Sequence, residues 1–330
     1  MQTEGRLMGK IISRNEFEEI LKSSLSPYSY DRKKVPVKIN CLYDETTLWE
    51  YSLQDGEVIF KNVQEYQKEI LESLDMCGSL KLRTSFSDDY KDVENEKWTE
   101  WFLNKVSNSY LILDTNFIYR HYCSSVLAPI LENAFESLEF KIPRMVILEI
   151  ERRGNEKEKK GTKLSGKQKR LAFYAAREIE FIRKNSLHFD LLKLSERSLM
   201  ADFADVAGKG FADMGIRSEI HAAWREDPIF RGYAPNHFFF TCDLMNSMAA
   251  EAEGIRSCYF SRLSQKNFHV GFYNIKQLFD FLMANAVIFG RIRLEYMSKE
   301  TVVVETYGLE GAWEGKTTSD WYSDSIKFSK

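Results

Sequence analysis

Residues 110–113, Tyr-Leu-Ile-Leu, form a short unbroken apolar run that ends abruptly in Asp114. A continuous run of this length fits a strand covered on both faces, as strands of a parallel sheet are. Asp114 is followed by Thr115, Asn116 and a helical pattern through Phe117, Ile118 and His121. It therefore stands at the carboxyl end of a strand, where open α/β sheets gather their ligand chemistry. Asp, Thr and Asn are also good helix caps, so this segment alone leaves both readings open.

The segment 236–263 repeats the pattern. Phe238 to Phe240 read as a second buried strand, with Thr241, Cys242 and Asp243 at its carboxyl end. A helix from Leu244 to Glu253 follows and stops at Gly254, a good terminating residue. Two strand-ending aspartates in one sheet are harder to assign to capping than one. Between them, Pro143 begins a helix whose apolar stripe of Val146, Ile147 and Ile150 has Glu149 set within it. Glu151, by contrast, reads as an ordinary surface glutamate. Asp213 opens the helical pattern Met214, Ile216, Ile220 and Ala223, where capping is again the plain alternative. Asp202 and Asp205, spaced to share one helix face, are its competitors.

A chain of 330 residues with 44% hydrophobic content can build one large or two modest domains. Its formal net charge of -3 gives no global attraction for a polyanion, so any basic surface is local. Residues 152–170 supply one, with nine Lys or Arg against two Glu. Their glycines make a poor helix and a good mobile loop. That loop is either a solvated insertion or an arm that draws in phosphates, and a salt-sensitive arm would use Arg152, Arg153, Lys167, Lys169 and Arg170. The five cysteines, odd in number and widely spaced, fit neither a disulfide framework nor a zinc site and point to reduced, buried thiols. Eighteen uninterrupted apolar residues occur nowhere, so the expectation is a soluble, cytoplasmic protein with no membrane partner.

Residues 1–105 read as an N-terminal accessory α+β module. Residues 17–25 have helical spacing, 35–44 and 48–62 alternate like an antiparallel ribbon, and a helix spans 63–74. The acid-rich stretch 86–102 leads as a solvated linker or helix into Trp98, Trp101 and Phe102, which are expected to pack against the main domain. Residues 106–290 form that domain. Residues 291–330 read as a terminal β-ribbon, alternating at 302–307 with a turn at 308–311, that would pair with the N-terminal ribbon in one accessory lobe. Trp313, Trp321 and Tyr322 are expected to pack there, and substrate selection and self-association are the lobe's candidate roles.

Four stretches together, LDTN with Asp114, PRMVILEI with Glu149, DMGI with Asp213 and FFFTCD with Asp243 followed by MAAEAEGI, resemble the PIN domain family of metal-dependent nucleases. The resemblance covers about residues 106–290. It implies a Rossmann-like α/β/α sandwich with a central parallel sheet. It also implies a Mg²⁺ or Mn²⁺ site made by Asp114, Glu149, Asp213 and Asp243, with Asn116, Thr241 and Asn246 in support. The long segment between Glu149 and Asp213 departs from the family pattern and leaves Asp205 in competition with Asp213. Crowded carboxylates repel one another until a cation neutralises them, and all-oxygen ligands suit these two metals. The activity implied is hydrolysis of phosphodiester bonds in single-stranded RNA, leaving a 3′-hydroxyl and a 5′-phosphate. A scaffold of the same fold that binds RNA or a protein without cutting is the alternative.

Overall fold

The computed structural model describes residues 11–12, 38–43, 46–52, 57–61, 63–87, 89–93, 95–155, 166–192, 211–232, 236–263, 269–271, 275–296, 300–306 and 326–329. The chain divides into two compact units. One comprises Met1–Ser79, Lys157–Tyr174 and Gln265–Lys330, the other Leu80–Glu156 and Ala175–Ser264. The expected helix at 17–25, the turn at 308–311, the aromatics Trp313, Trp321 and Tyr322, most of the basic loop, and Asp202 and Asp205 lie outside the described residues.

The first unit begins with β1 (Ile11–Ile12), β2 (Lys38–Tyr43), β3 (Thr46–Ser52) and β4 (Glu57–Phe60), followed by α1 (Val63–Met76). Strands β2 to β4 pair antiparallel in sequence, as their alternation requires.

The second unit opens with β5 (Leu82–Phe86), β6 (Asp89–Asp92) and α2 (Trp98–Val106). Strand β7 (Tyr110–Leu113) and α3 (Thr115–Tyr119) come next, then short helical turns over residues 123–137, β8 (Glu139–Ile142) and α4 (Arg144–Asn155). Helix α5 (Lys167–Asn185) enters the unit at Ala175, and β9 (His188–Leu191), α6 (Phe211–Glu226), α7 (Pro228–Gly232), β10 (His237–Thr241), α8 (Leu244–Ala252) and β11 (Ser257–Arg262) complete it.

Its seven strands lie in the order β6-β5-β11-β10-β7-β8-β9. The five from β11 to β9 are parallel, and β5 and β6 extend the sheet antiparallel. From β7 the chain steps outward through β8 to β9, then returns to place β10 and β11 on the other side. The order therefore reverses between β7 and β10, the position at which open α/β sheets form their ligand crevice. Every residue of both strands is buried, as their continuous apolar sequences require. Phe240 packs edge-on against Phe102 and Phe117 and at a tilt against Phe260, at centroid distances of 6.0, 5.6 and 5.7 Å.

The expected boundary at 105 moves to Leu80, because β5 pairs with β11 and adds residues 82–106 to the sheet of the second unit. The stretch 86–102 is therefore no solvated linker. Trp98 stacks on Phe102 at 4.6 Å and both are buried, whereas Trp101 is partly exposed and donates its Nε1 hydrogen to Asp89.

The far end of the expected 106–290 domain also moves, to Ser264. Strand β12 (His269–Gly271), α9 (Ile275–Phe289), β13 (Arg291–Tyr296), β14 (Glu300–Thr306) and β15 (Ile326–Ser329) return to the first unit. There they complete an antiparallel sheet in the order β1-β15-β14-β13-β2-β3-β4-β12, so the N- and C-terminal ribbons do join. Two residues of the expected basic arm have internal duties here. Lys167 pairs with Glu72 at 2.7 Å and Glu69 at 3.6 Å, while Arg170 donates to the carbonyls of Val287 and Ile288 at 2.7 and 3.0 Å. Arg170 thus closes the last turn of α9, and Gly290, at φ +82°, leaves room for the guanidinium that any Cβ would strike. The Lys169 ammonium lies 5.8 Å from the centre of the Phe173 ring. Lys167 and Arg170, expected as phosphate contacts, thus have structural partners within the first unit.

Truncating Phe240 to Ala in the full chain is expected to destabilise the second unit by about 3–5 kcal/mol, the usual cost of a large cavity in a packed core. Urea denaturation followed by tryptophan fluorescence measures it, and a loss below about 1 kcal/mol would contradict the packing described.

Candidate metal centre

Asp114 follows the last residue of β7, and its backbone N–H continues the ladder to the Phe240 carbonyl at 2.9 Å. The neighbouring strand ends in Thr241, whose hydroxyl donates to Asp114 Oδ2 at 2.6 Å. The parallel register, Phe240 opposite Leu113, is what sets these two side chains together. Asp114 is fully buried and makes no capping bond to α3, so the cap reading fails for it. Its Oδ1 has no hydrogen-bond partner.

Asp243 performs the capping that Asp114 does not. Its Oδ1 accepts from the N–H groups of Met245 and Asn246 at 2.8 and 3.2 Å, and the Thr241 hydroxyl in turn accepts from the Asp243 N–H at 3.0 Å. Asn246, in the first turn of α8, directs its amide nitrogen at Asp114 Oδ2 (3.5 Å) and Asp213 Oδ1 (3.3 Å). Asp213 is the third residue of α6 and does not open it, but it lies in the first turn as the pattern required. Glu149, one face of α4 inward, accepts from the Thr115 hydroxyl at 2.7 Å and from Arg153 at 2.5 Å. Arg153 also lies over the Tyr119 ring at 4.9 Å, and Arg152 is exposed.

Electrostatics tie the four acids into one group. Burial pushes the Asp114 carboxyl up from 3.8 to about 7; the Thr241 hydrogen bond opposes this, and the charges of Asp213 and Glu149 add to it. Asp213 is also raised, by burial first and then by Glu149 and Asp243, against the pull of Arg217 and Arg153. A buried carboxylate oxygen without a hydrogen-bond partner, in the field of two more carboxylates, fits a hard divalent cation. Among the described residues no three acidic, His or Cys side chains converge closely enough to hold an ion as they stand. Arg153 and Thr115 hold Glu149, and the α8 amides occupy one oxygen of Asp243.

Thr241 thus hydrogen-bonds Asp114, and Asn246 reaches both Asp114 and Asp213. Asn116 does not: its carbonyl accepts from Arg120, and its side chain makes no hydrogen bond to an acid among the described residues. Its neighbour Thr115 makes that contact. Glu219, on α6, is a further buried acid; it accepts from the Met145 N–H at 3.1 Å and so anchors the start of the helix that carries Glu149. Burial pushes its carboxyl up to about 7, against the pull of the Arg144 and Met145 amides. A groove of about 350 Å³ opens at the other end of the sheet, lined by Tyr110, Lys141, Asp190 and Phe230. It contains none of the four acids.

No protein family model matches the chain, and no curated protein is a significant match. Among solved structures, a domain of a functionally unknown protein from Methanocaldococcus jannaschii DSM 2661 is similar at 14% identity and a TM-score of 0.33, covering 50% of this chain and 99% of that one. A likeness of that strength assigns neither fold nor function. No helix among the described residues is long and apolar enough to cross a membrane.

The folded protein holds the Asp114 proton up to about pH 7, whereas the unfolded chain releases it near 3.8. The folded state binds more protons between those values, so this group's contribution to stability falls as pH rises through that window. Asp114→Asn keeps the shape and removes the titration. In metal-free buffer the variant should gain on the wild type by up to roughly 4 kcal/mol between pH 4 and pH 8, the scale set by about three pK units. Denaturation at the two pH values measures it, and a pH-independent difference would refute the assignment.

Proposed function

We propose that the second unit is a PIN-like, metal-dependent endoribonuclease that hydrolyses phosphodiester bonds in single-stranded RNA. The observation that carries the reading is the orphaned, buried oxygen of Asp114 at the reversal of strand order, with Glu149 and Asp213 coupled to it and Asp243 coupled to Asp213. Such a carboxylate is costly unless a cation is its partner. Asp114, Glu149, Asp213 and Asp243 would hold Mg²⁺ or Mn²⁺, and the bound ion would supply an activated water and offset charge on the scissile phosphate.

The chain's own groups have separable tasks in this reading. Thr241 orients the Asp114 carboxylate through Oδ2 and leaves Oδ1 facing the site. Asn246 spans Asp114 and Asp213. Arg153 neutralises Glu149 in the absence of an ion, and with the exposed Arg152 it offers the positive charge that a phosphate backbone seeks. The antiparallel sheet of the first unit is left for substrate selection or self-association.

A second reading, a silent scaffold that binds RNA or protein without cutting, is favoured by two facts: Glu149 is already neutralised by Arg153, and among the described residues the acids do not converge on a single point.

End-labelled single-stranded RNA incubated with the full chain in Mn²⁺, Mg²⁺ or EDTA separates the two. The nuclease reading expects metal-dependent cleavage that falls to background in Asp114→Asn, with 5′-phosphate products. RNA that is bound but left whole in every metal would establish the scaffold instead.

A further inference from the structure

Arg217 is a buried arginine four residues after Asp213 on α6, and sequence pattern assigns it no task. Its Nη1 donates to Asn246 Oδ1 at 2.6 Å and its Nε donates to Glu253 Oε1 at 2.9 Å. His221, one turn further along α6, faces the other oxygen of Glu253 at 3.7 Å. A relay thus runs from Glu253 at the end of α8 through Arg217 to Asn246, and from Asn246 to the two carboxylates.

The chemistry of each link fixes the next. A carboxamide presents an acceptor on one side and donors on the other, and its shape alone does not decide which way it turns. A guanidinium carries donors only. The group facing Arg217 must therefore be the Asn246 oxygen, and the NH₂ must face Asp114 and Asp213. The opposite orientation would set an amide oxygen against two carboxylates and two donor groups against each other. Glu253 holds the far side of the guanidinium, so the arginine is positioned and its charge offset.

We infer that Arg217 is a positioning residue for the cation site: by fixing the orientation of the Asn246 amide, it makes that amide span Asp114 and Asp213 and set the spacing of the two. The inference rests on the reading of these acids as a Mg²⁺ or Mn²⁺ site. Arg217 touches none of the reacting atoms and acts only through Asn246.

The test is Mn²⁺ binding to the full-length protein, followed by calorimetry and by loss of the free-ion electron paramagnetic resonance signal, with far-ultraviolet circular dichroism as the check on folding. Arg217→Met should weaken Mn²⁺ binding roughly tenfold or more, the usual effect of removing a group that orients a ligand. Arg217→Lys, still a donor-only side chain, should recover part of that loss. Should Arg217→Met fail to fold, Glu253→Ala, which frees the far side of the guanidinium, should weaken binding in the same direction. Wild-type affinity in Arg217→Met, no recovery in Arg217→Lys, or wild-type affinity in a Glu253→Ala used in its place overturns the inference while the metal site stands. A wild type that binds no Mn²⁺ removes the metal site and this inference with it.

Discussion

A carboxylate buried at the seam of two parallel strands is the constraint around which the second unit is arranged. Asp114 is fully buried, with one strong hydrogen bond from Thr241, a long one from Asn246 and an Oδ1 that has no hydrogen-bond partner. Removing a charge from water on these terms is expensive. The fold tolerates it because the rest of the seam is aromatic and close-packed, with Phe117, Phe240 and Phe260 in mutual contact just beneath. The stability of that layer offsets the cost of a carboxyl whose charged form burial disfavours. Thr241 matters twice, since one hydroxyl orients Asp114 and also accepts from the Asp243 backbone. The two strand-ending aspartates are thereby joined through a single side chain.

The ends of β7 and β10 were legible in the sequence because each is an uninterrupted apolar run broken by an acid. Glu149 was legible as an acid within an apolar stripe. At Asp243 the capping reading is realised, and the same carboxylate also raises the carboxyl of Asp213. Thr115 gave no signal beyond that of a helix-starting residue, since its bond to Glu149 joins positions 34 apart that only the folded chain brings together. Arg217 was equally silent, because a buried arginine on a helix has the sequence signature of an exposed one.

Long-range pairing also accounts for the misplaced boundaries. Residues 82–106 look like an appendix of the N-terminal ribbon until β5 finds β11, and the segment from 269 to 296 looks like a continuation of the central domain until β13 finds β2. Lys167 and Arg170 belong to a conspicuous run of positive charge, yet their partners are two glutamates on α1 and the final carbonyls of α9. Local composition records a charge and not what it meets.

The pairing of β2 with β13 has a consequence for the newborn chain. Its paired residues are roughly 250 positions apart, and loop closure over such a span is slow. On the ribosome, β2 to β4 emerge ahead of the second unit and must wait until all of it has been made before β13 can join their sheet. Throughout that interval β2 offers an open row of amide and carbonyl groups to any other strand. The acid-bearing unit, whose strands are all contained between residues 82 and 262, is complete before the sheet that encloses it in sequence. Loss of β13 is therefore most hazardous to β2 to β4, strands made long before it.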